Sequence, residues 1–541
     1  MRAVGDEEQF ERLLSAASSY WGKRPSRPGT CVVAEALHQD IRVIVRNLLL
    51  ANAICELTSS RLVVLTGTDR EWSRLLWDDF DTGRVRRLAE AFGAAEVVDV
   101  HDLVDRRLAD EGDSPAEGIS PAALDALEKA TLLRLNRVPR LPATQDERWR
   151  ARRGRARALS AVYDRLFAEL SPAALVTSEV DYDQWGLAVE TAVRRQVPVV
   201  HVRGTGSLRA QALFPGQGTG AFREELTGRL ARFFDESVWP HRDLVQPGAE
   251  LVAWRAKGER GSWWRGGSVN SFELRTETER RQLRGHGCDR FGIDPDRPTF
   301  TVFQHAVSDA VGANREIFDD FAEWLEETAD FAAAEESVNW LFLDHPAQAG
   351  HDTTGHFESV AARHAHRSHL AFMPRAALSR NMLWSMSDVG VTVRGAVSCE
   401  LPAFGIPVIQ AGWSEWSGCG VSHVAETRAD YWRLLADSVA KHVKGESSLE
   451  PEQRERARLW LWLERSGADV ASPLLPHWEL GDGEDYLRTL SVSMRHVERD
   501  GDPLRHAVRR MWERREPLLS RFDFGDPARL ADALTTSRSA S

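Results

Sequence analysis

The sequence predicts an α/β protein made of two doubly wound parallel sheets in tandem, followed by a helical C-terminal segment. Two observations lead there. Short, continuous apolar runs alternate with helical patterns from residue 30 to 202, and the same rhythm restarts at 299 and runs to 410. Strands that are apolar throughout, with helices between them, belong to parallel sheets covered on both faces. A third supports it: the chain has 541 residues, too many for one hydrophobic core.

The elements follow in order. Thr30–Ala34 reads as a buried strand, Asp40 to Leu57 as a helix with Asp40 as N-cap, and Arg61–Gly67 as a second strand. Val85–Phe92 reads as a helix, Ala95–Val100 as a strand and Glu147–Glu169 as an arginine-rich helix. Ala173–Thr177, a helix over Trp185–Arg195 and Val197–Val202 complete the first series. Residues 205–275 lose the rhythm and read as an irregular insertion with some helix, including Trp263 and Trp264. The second series opens with Thr299–Phe303, then an amphipathic helix over Asn314–Phe331, then strands at Asn339–Leu343, His369–Met373 and Asp388–Val393. A helix over Val397–Phe404 and a strand at Ile406–Gln410 close it, and the chain reads as helical from about 427 onward.

Composition narrows the function. With 42% hydrophobic and 28% charged residues the chain is of globular type. A net charge of −12 argues against a chain-wide nucleic-acid surface. The cationic residues are mostly arginine, which suits forked recognition of phosphate. Cys31, Cys55, Cys288, Cys399 and Cys419 are scattered, without a finger or C-x-x-C spacing, which suits reduced thiols in a cytoplasmic protein. The N-terminus lacks signal-peptide character. The most apolar stretch, Val43–Leu57, is broken by Arg46, Asn47 and Glu56 and cannot cross a bilayer. Membrane contact is therefore expected only as peripheral association with an inner membrane face.

Three segments could carry chemistry in the second series. Asp388–Gly412 is strand, tight turn, helix, loop and strand. Gly395 permits close backbone approach, and the amides that follow would favour an anion such as a diphosphate. Arg394 could balance phosphate charge, Ser398 could add a hydroxyl donor, and Glu400 suits a ribose diol. Leu343–Asp344–His345–Pro346 runs a strand into an imidazole at the sheet's carboxyl edge. Gln304–Asp309 directly follows another strand and turns polar groups to the same edge. The neighbouring histidines His351, His356, His364, His366 and His369 fit no zinc spacing, so no metal is expected. In the first series Ser178–Asp183 sits where open α/β sheets place ligands.

With these residues in view, the second half resembles the capsule and surface polysaccharide biosynthesis glycosyltransferases, a GT-B group that includes Kdo transferases. The residues that carry the resemblance are Arg394-Gly395-Ala396-Val397-Ser398-Cys399-Glu400, Ala403-Phe404-Gly405-Ile406-Pro407-Val408, Ala411-Gly412 and Trp416-Ser417-Gly418. His345-Pro346 and Asp309 match further elements. Ala396 stands where the family has Thr, and Ser398 where it has Gly. The resemblance covers residues 285 to 435 well and the first half mainly by strand order.

It implies a GT-B fold: an acceptor-side domain at 1–285, a nucleotide-sugar domain at 286–430 facing it across a cleft, and a helical segment at 431–541. It further implies sugar transfer from a CMP- or UDP-linked nucleotide sugar, as co-substrate with no other cofactor, to a saccharide or glycolipid acceptor. His345, Pro346, Arg394, Gly395, Ala396, Ser398, Glu400 and Gly412 would line the donor site. Asp181, Asp183 and Asp309 would be the catalytic carboxylates, with Glu179 a spare candidate for the base. Competing readings are a sugar-nucleotide epimerase, a CDP-polyol phosphotransferase, and a sugar-binding or assembly protein without turnover.

Overall fold

The computed structural model describes residues 7–22, 29–38, 40–76, 81–111, 119–141, 147–203, 208–215, 221–245, 276–311, 315–373, 380–476 and 483–536. The first six strands are β1 Cys31–Glu35, β2 Arg61–Thr66, β3 Ala94–Asp99, β4 Ala174–Thr177, β5 Val199–Arg203 and β6 Arg209–Leu213. They form one sheet in the order β3-β2-β1-β4-β5-β6. The pairs are parallel except β5–β6, which is antiparallel at the edge. The second sheet uses β7 Thr299–Phe303, β8 Asn339–Leu343, β9 Leu370–Met373, β10 Val389–Thr392, β11 Val408–Gln410 and β12 His423–Val424. It is parallel throughout, in the order β12-β11-β10-β7-β8-β9. Both orders reverse at the first strand, the doubly wound Rossmann arrangement, which leaves a crevice at the carboxyl edge beside β1 and beside β7. Two such sheets in one chain are the pair expected of the GT-B class.

The chain divides into two compact units, and neither is continuous. One comprises Met1–Thr131, Thr144–Arg229 and Ser466–Asp523; the other comprises Leu132–Ala143, Leu230–Arg465 and Phe524–Ser541. The helical C-terminal stretch is thus shared. Its part from 466 to 523 completes the first unit: Leu487 and Val508 join Val32, Leu48, Val64 and Val176 in one core, and Gln211 of β6 bridges Leu518. In the second unit Phe300, Val302, Trp324, Trp340, Phe342 and Val391 pack with Tyr431. The buried Tyr431 hydroxyl accepts from Trp324 Nε1 at 3.0 Å, so the aromatic core leaves that polar pair satisfied.

Local signals explain most of the elements. Asp40 caps the helix Ile41–Thr58, its carboxylate accepting from the Arg42 amide. Three segments depart from expectation. Within 205–275, β6 and the helix Phe222–Phe233 are regular structure, whereas Trp263 and Trp264 lie outside the described residues. The helix expected from Asn314 begins at Phe321, because Asp320 caps it by accepting from the Glu323 amide at 2.7 Å. Before it, Glu316 bridges Gly412 and residues 317–320 form a bend. Finally, β12 adds a two-residue strand too short to show a period. Among the described residues, no helix is long and apolar enough to cross a membrane.

Candidate functional site

The turn after β10 lies at the carboxyl edge of the second sheet, and its hydrogen bonds account for nearly all its polar groups. Thr392 Oγ1 donates to the Phe303 carbonyl of β7 at 3.1 Å and accepts from the Gly395 amide at 3.3 Å. The Gly395 carbonyl accepts from the Ser398 amide at 2.9 Å and from Ser398 Oγ at 2.8 Å. The Cys399 and Glu400 amides go to the Ala396 carbonyl. Among the described residues, the amides of Ala396 and Val397 bond to no acceptor. Residues 394–397 are half-buried, whereas Ser398, Cys399 and Glu400 are buried. Two successive donors without acceptors, at the mouth of a crevice, are what an anion needs.

Arg394 is placed differently from the expected phosphate counter-charge. Its Nε donates to Glu316 Oε1 at 2.8 Å, and its Nη2 donates to the Asp309 and Ala310 carbonyls at 3.1 and 2.7 Å. The Arg394–Glu316 pair is nearly buried, with side-chain exposures of 9% and 4%. Arg315 Nη2 also reaches the Ala310 carbonyl, at 2.9 Å. Ala310 holds φ at 50°, a left-handed conformation costing an L-residue on the order of 1 kcal/mol or more, so two guanidinium groups secure a strained loop. Gly412 serves the same strap. A Cβ there would lie 2.6 Å from the Arg315 carbonyl oxygen and 3.1 Å from Val393 Cγ1. Beyond it, a cavity of about 400 Å³ is bounded by Arg315, Glu316, Trp413 and Ala425.

On the other side of β7, Asp344 accepts from the His345 amide at 2.8 Å, and His345 Nδ1 accepts from the Ala347 amide at 3.2 Å. A neutral imidazole that accepts at Nδ1 carries its proton at Nε2. Pro346, next to it, is exposed. His305 stacks on His345 with ring centroids 6.1 Å apart, and packs at a tilt against Phe321 at 4.5 Å. Burial, with Arg394 and His345 nearby, holds the His305 imidazole well below its ordinary value, against the opposing pull of Asp309. Burial likewise lowers His351 to about 4. Ser308 Oγ ties that segment down by donating to the His351 carbonyl at 2.8 Å. Of the expected residues, Asp309 thus lies in the loop after β7, Arg394 clamps that loop, and His345 meets it through His305, while Gly395 and Ala396 follow Arg394 in the chain. Glu400 stands one helical turn inside and is 4% exposed.

Ser398, expected as a ligand donor, is fully buried. Its single hydroxyl proton goes to Gly395, and its oxygen accepts from Trp416 Nε1 at 2.9 Å. Among the described residues, no three His, Cys, Asp or Glu side chains converge as metal ligands.

In the first unit the acidic run after β4 separates into unlike roles. Asp183 is fully buried and held in a fork by Arg152, Nε to Oδ2 at 2.7 Å and Nη2 to Oδ1 at 2.6 Å, with Trp72 Nε1 donating at 3.2 Å. Arg152 also reaches Asp69 at 2.7 Å. Although burial opposes it, Arg152, His101 and Arg155 hold the Asp69 carboxyl below the usual range. Asp183 is thus the keystone of a buried ionic network, a placement that leaves no room for proton transfer. Asp181 is buried and paired with Arg223 at 2.6 Å. Glu179 is half-buried and accepts from the Val180 and Asp181 amides at 2.8 and 3.1 Å. Burial, then the Asp181 charge, pushes its carboxyl up to about 7.

No known family pattern matches the chain, and no curated protein is similar to it in sequence. Among solved structures it is similar to a glycosyltransferase from Rickettsia africae ESF-5, at 9% identity over 87% of this chain and 99% of that one, TM-score 0.30. It is also similar to Thermosulfurimonas dismutans KpsC, a beta Kdo 2,7 transferase, at 12% identity over 55% and 79% of the two chains, TM-score 0.30. A third is the UDP-GlcNAc 2-epimerase from Neisseria meningitidis, at 10% identity over 80% and 98%, TM-score 0.25. Strand order and pairing within this chain define its fold.

His305 gave one signal in the sequence, a polar residue directly after a buried strand. The Arg315–Glu316 strap gave none, because its partners Arg394 and Gly412 are remote in the chain.

Proposed function

We propose that the protein binds a nucleotide sugar at the carboxyl edge of its second sheet and transfers the sugar to a saccharide or glycolipid acceptor. The observation that carries this reading is the pair of unbonded amides at Ala396 and Val397, flanking the same loop as the His345 Nε2–H. These donors suit the diphosphate or monophosphate of a UDP- or CMP-linked donor. Departure of the nucleotide builds negative charge on a phosphate oxygen. Fixed donors aimed at it stabilise that charge without reorganising. Arg394 acts through the loop it clamps and not as a phosphate ligand. Gly412 lets the 315–317 strap approach and wall the cavity, where the base would lie. Glu400 would hold the ribose if the donor reaches one turn into the helix.

For the acceptor we assign the proton to Glu179 instead of Asp181 or Asp183. A base works best with a pKa near the working pH, and Glu179 at about 7 meets that while keeping a minor part of its surface exposed. Asp181, locked to Arg223, raises Glu179 by its charge and so positions the proton affinity. Asp309 would tune His305 and His351 and not react itself.

The test is product analysis with labelled UDP- and CMP-sugars, with and without saccharide acceptors. Nucleotide release that depends on acceptor supports transfer. Interconversion of the sugar without acceptor would make the protein an epimerase, and binding without turnover a sugar-binding protein.

A further inference from the structure

Resting on the reading of the Gly395 turn as a phosphate site, we infer that Ser398 and Trp416 form a positioning pair that holds the Gly395–Ala396 peptide in the one orientation that presents the Ala396 amide to a ligand. The peptide unit between Gly395 and Ala396 is planar and trans, so its N–H points opposite to its C=O. The Gly395 carbonyl is drawn inward by two donors of Ser398, the amide at 2.9 Å and Oγ at 2.8 Å. The Ala396 N–H on the same plane therefore faces away, toward the half-buried side of the turn. A rotation of this peptide would reverse both groups and bury the donor.

The orientation of the Ser398 hydroxyl is itself imposed. Trp416 Nε1 donates to Oγ at 2.9 Å, which leaves the hydroxyl proton to Gly395. The indole is 6% exposed and sits in a self-tied loop: the Ser417 amide donates to the Ser414 carbonyl at 3.0 Å, the Ser414 amide to Ser417 Oγ at 2.8 Å, and the Cys419 amide to the Trp416 carbonyl at 2.9 Å. At its other end the turn is pinned to β7 through Thr392. Residues 395–397 are thus held from two sides, and Ser398 acts through the peptide without touching the ligand.

The probe is UDP, with CMP in parallel, titrated calorimetrically against the full chain. Ser398→Ala should raise Kd about ten-fold, and Trp416→Phe, which leaves the Ser398–Gly395 bonds in place, about three-fold. Adding Trp416→Phe to Ser398→Ala should cost nothing further, because the indole acts only through Oγ. In protein labelled with 15N-alanine, the Ala396 amide resonance, assigned by its loss in Ala396→Gly, should move on adding nucleotide to the wild type and fail to move in Ser398→Ala. If Ser398→Ala does not fold, Trp416→Phe decides. Wild-type binding with unchanged Kd and an unchanged Ala396 response in the variants would overturn the pair while leaving the phosphate site intact. A wild type that binds neither nucleotide would overturn the site, and the pair with it.

Discussion

In the proposed reading, His345 is the residue on which most of the chemistry turns. Because Nδ1 takes the Ala347 amide, the useful proton sits on Nε2 in the neutral ring. His345→Ala should lower turnover about 100-fold, the range for losing one preorganised donor, and His345→Gln, which keeps an N–H, should lose less; initial rates on the best donor decide. Asp183 makes the opposite prediction. Asp183→Asn removes the forked partner of the buried Arg152 and leaves it Asp69 as its remaining close carboxylate, so the fold should lose about 3 kcal/mol, seen as an early urea transition. A variant that is inactive yet fully stable would restore Asp183 as a catalyst. Glu179→Gln should abolish turnover and leave nucleotide affinity unchanged. In the wild type, turnover should rise with pH through about 7, because a base acts only when deprotonated. His345 was legible from sequence because a strand running into His-Pro fixes where the ring goes. Ser398 was not, because its partner Trp416 lies 18 residues away and the donor count that rules out a ligand role needs both.

At the scale of elements, the strands buried on both faces were readable from their continuous apolar runs, and β7 and β8 fall where the pattern put them. Two edge strands escaped. β6, Arg209–Leu213, alternates charge and amide with small residues and is covered on its free side by the later segment around Leu518. β12 has only two residues. The strap 315–317 escaped for another reason: helical periodicity continues back through it, but Asp320 caps the helix, and the backbone before it is used against Gly412. That makes Gly412 a packing requirement. Gly412→Ala places a methyl 2.6 Å from the Arg315 carbonyl and should cost about 1–3 kcal/mol. It should also weaken nucleotide binding, because the Arg394–Glu316 clamp on the loop shifts with the strap. Unchanged thermal stability and affinity together would contradict this packing.

Over the whole molecule, two sets of buried groups pull stability in opposite directions with pH. Burial holds His38, His101, His305 and His351 below their ordinary 6.5. The unfolded chain then binds more protons, and the stability tied to them is full above 6.5 and is lost as pH falls through it. Burial raises Glu128, Glu179 and Glu190 from 4.5 to about 7, so their contribution is full below 4.5 and is lost as pH rises toward 7. Removing one carboxyl exposes the sign: Glu190→Gln should stabilise the protein by about 1–3 kcal/mol at pH 8 and leave it unchanged at pH 4.5. A calorimetric scan showing equal shifts at both values would contradict the burial. Sugar transfer as proposed requires an anion pocket formed by the Ala396 and Val397 amides with His345. Its most direct measurement is thermal stabilisation of the wild type and His345→Ala by a panel of CMP-, UDP-, GDP- and CDP-linked compounds. We predict that a CMP- or UDP-linked compound at 100 times its Kd stabilises the wild type by about 2.7 kcal/mol, and that His345→Ala loses most of this at the same concentration. No shift with any compound, or one that survives unchanged in His345→Ala, would contradict it.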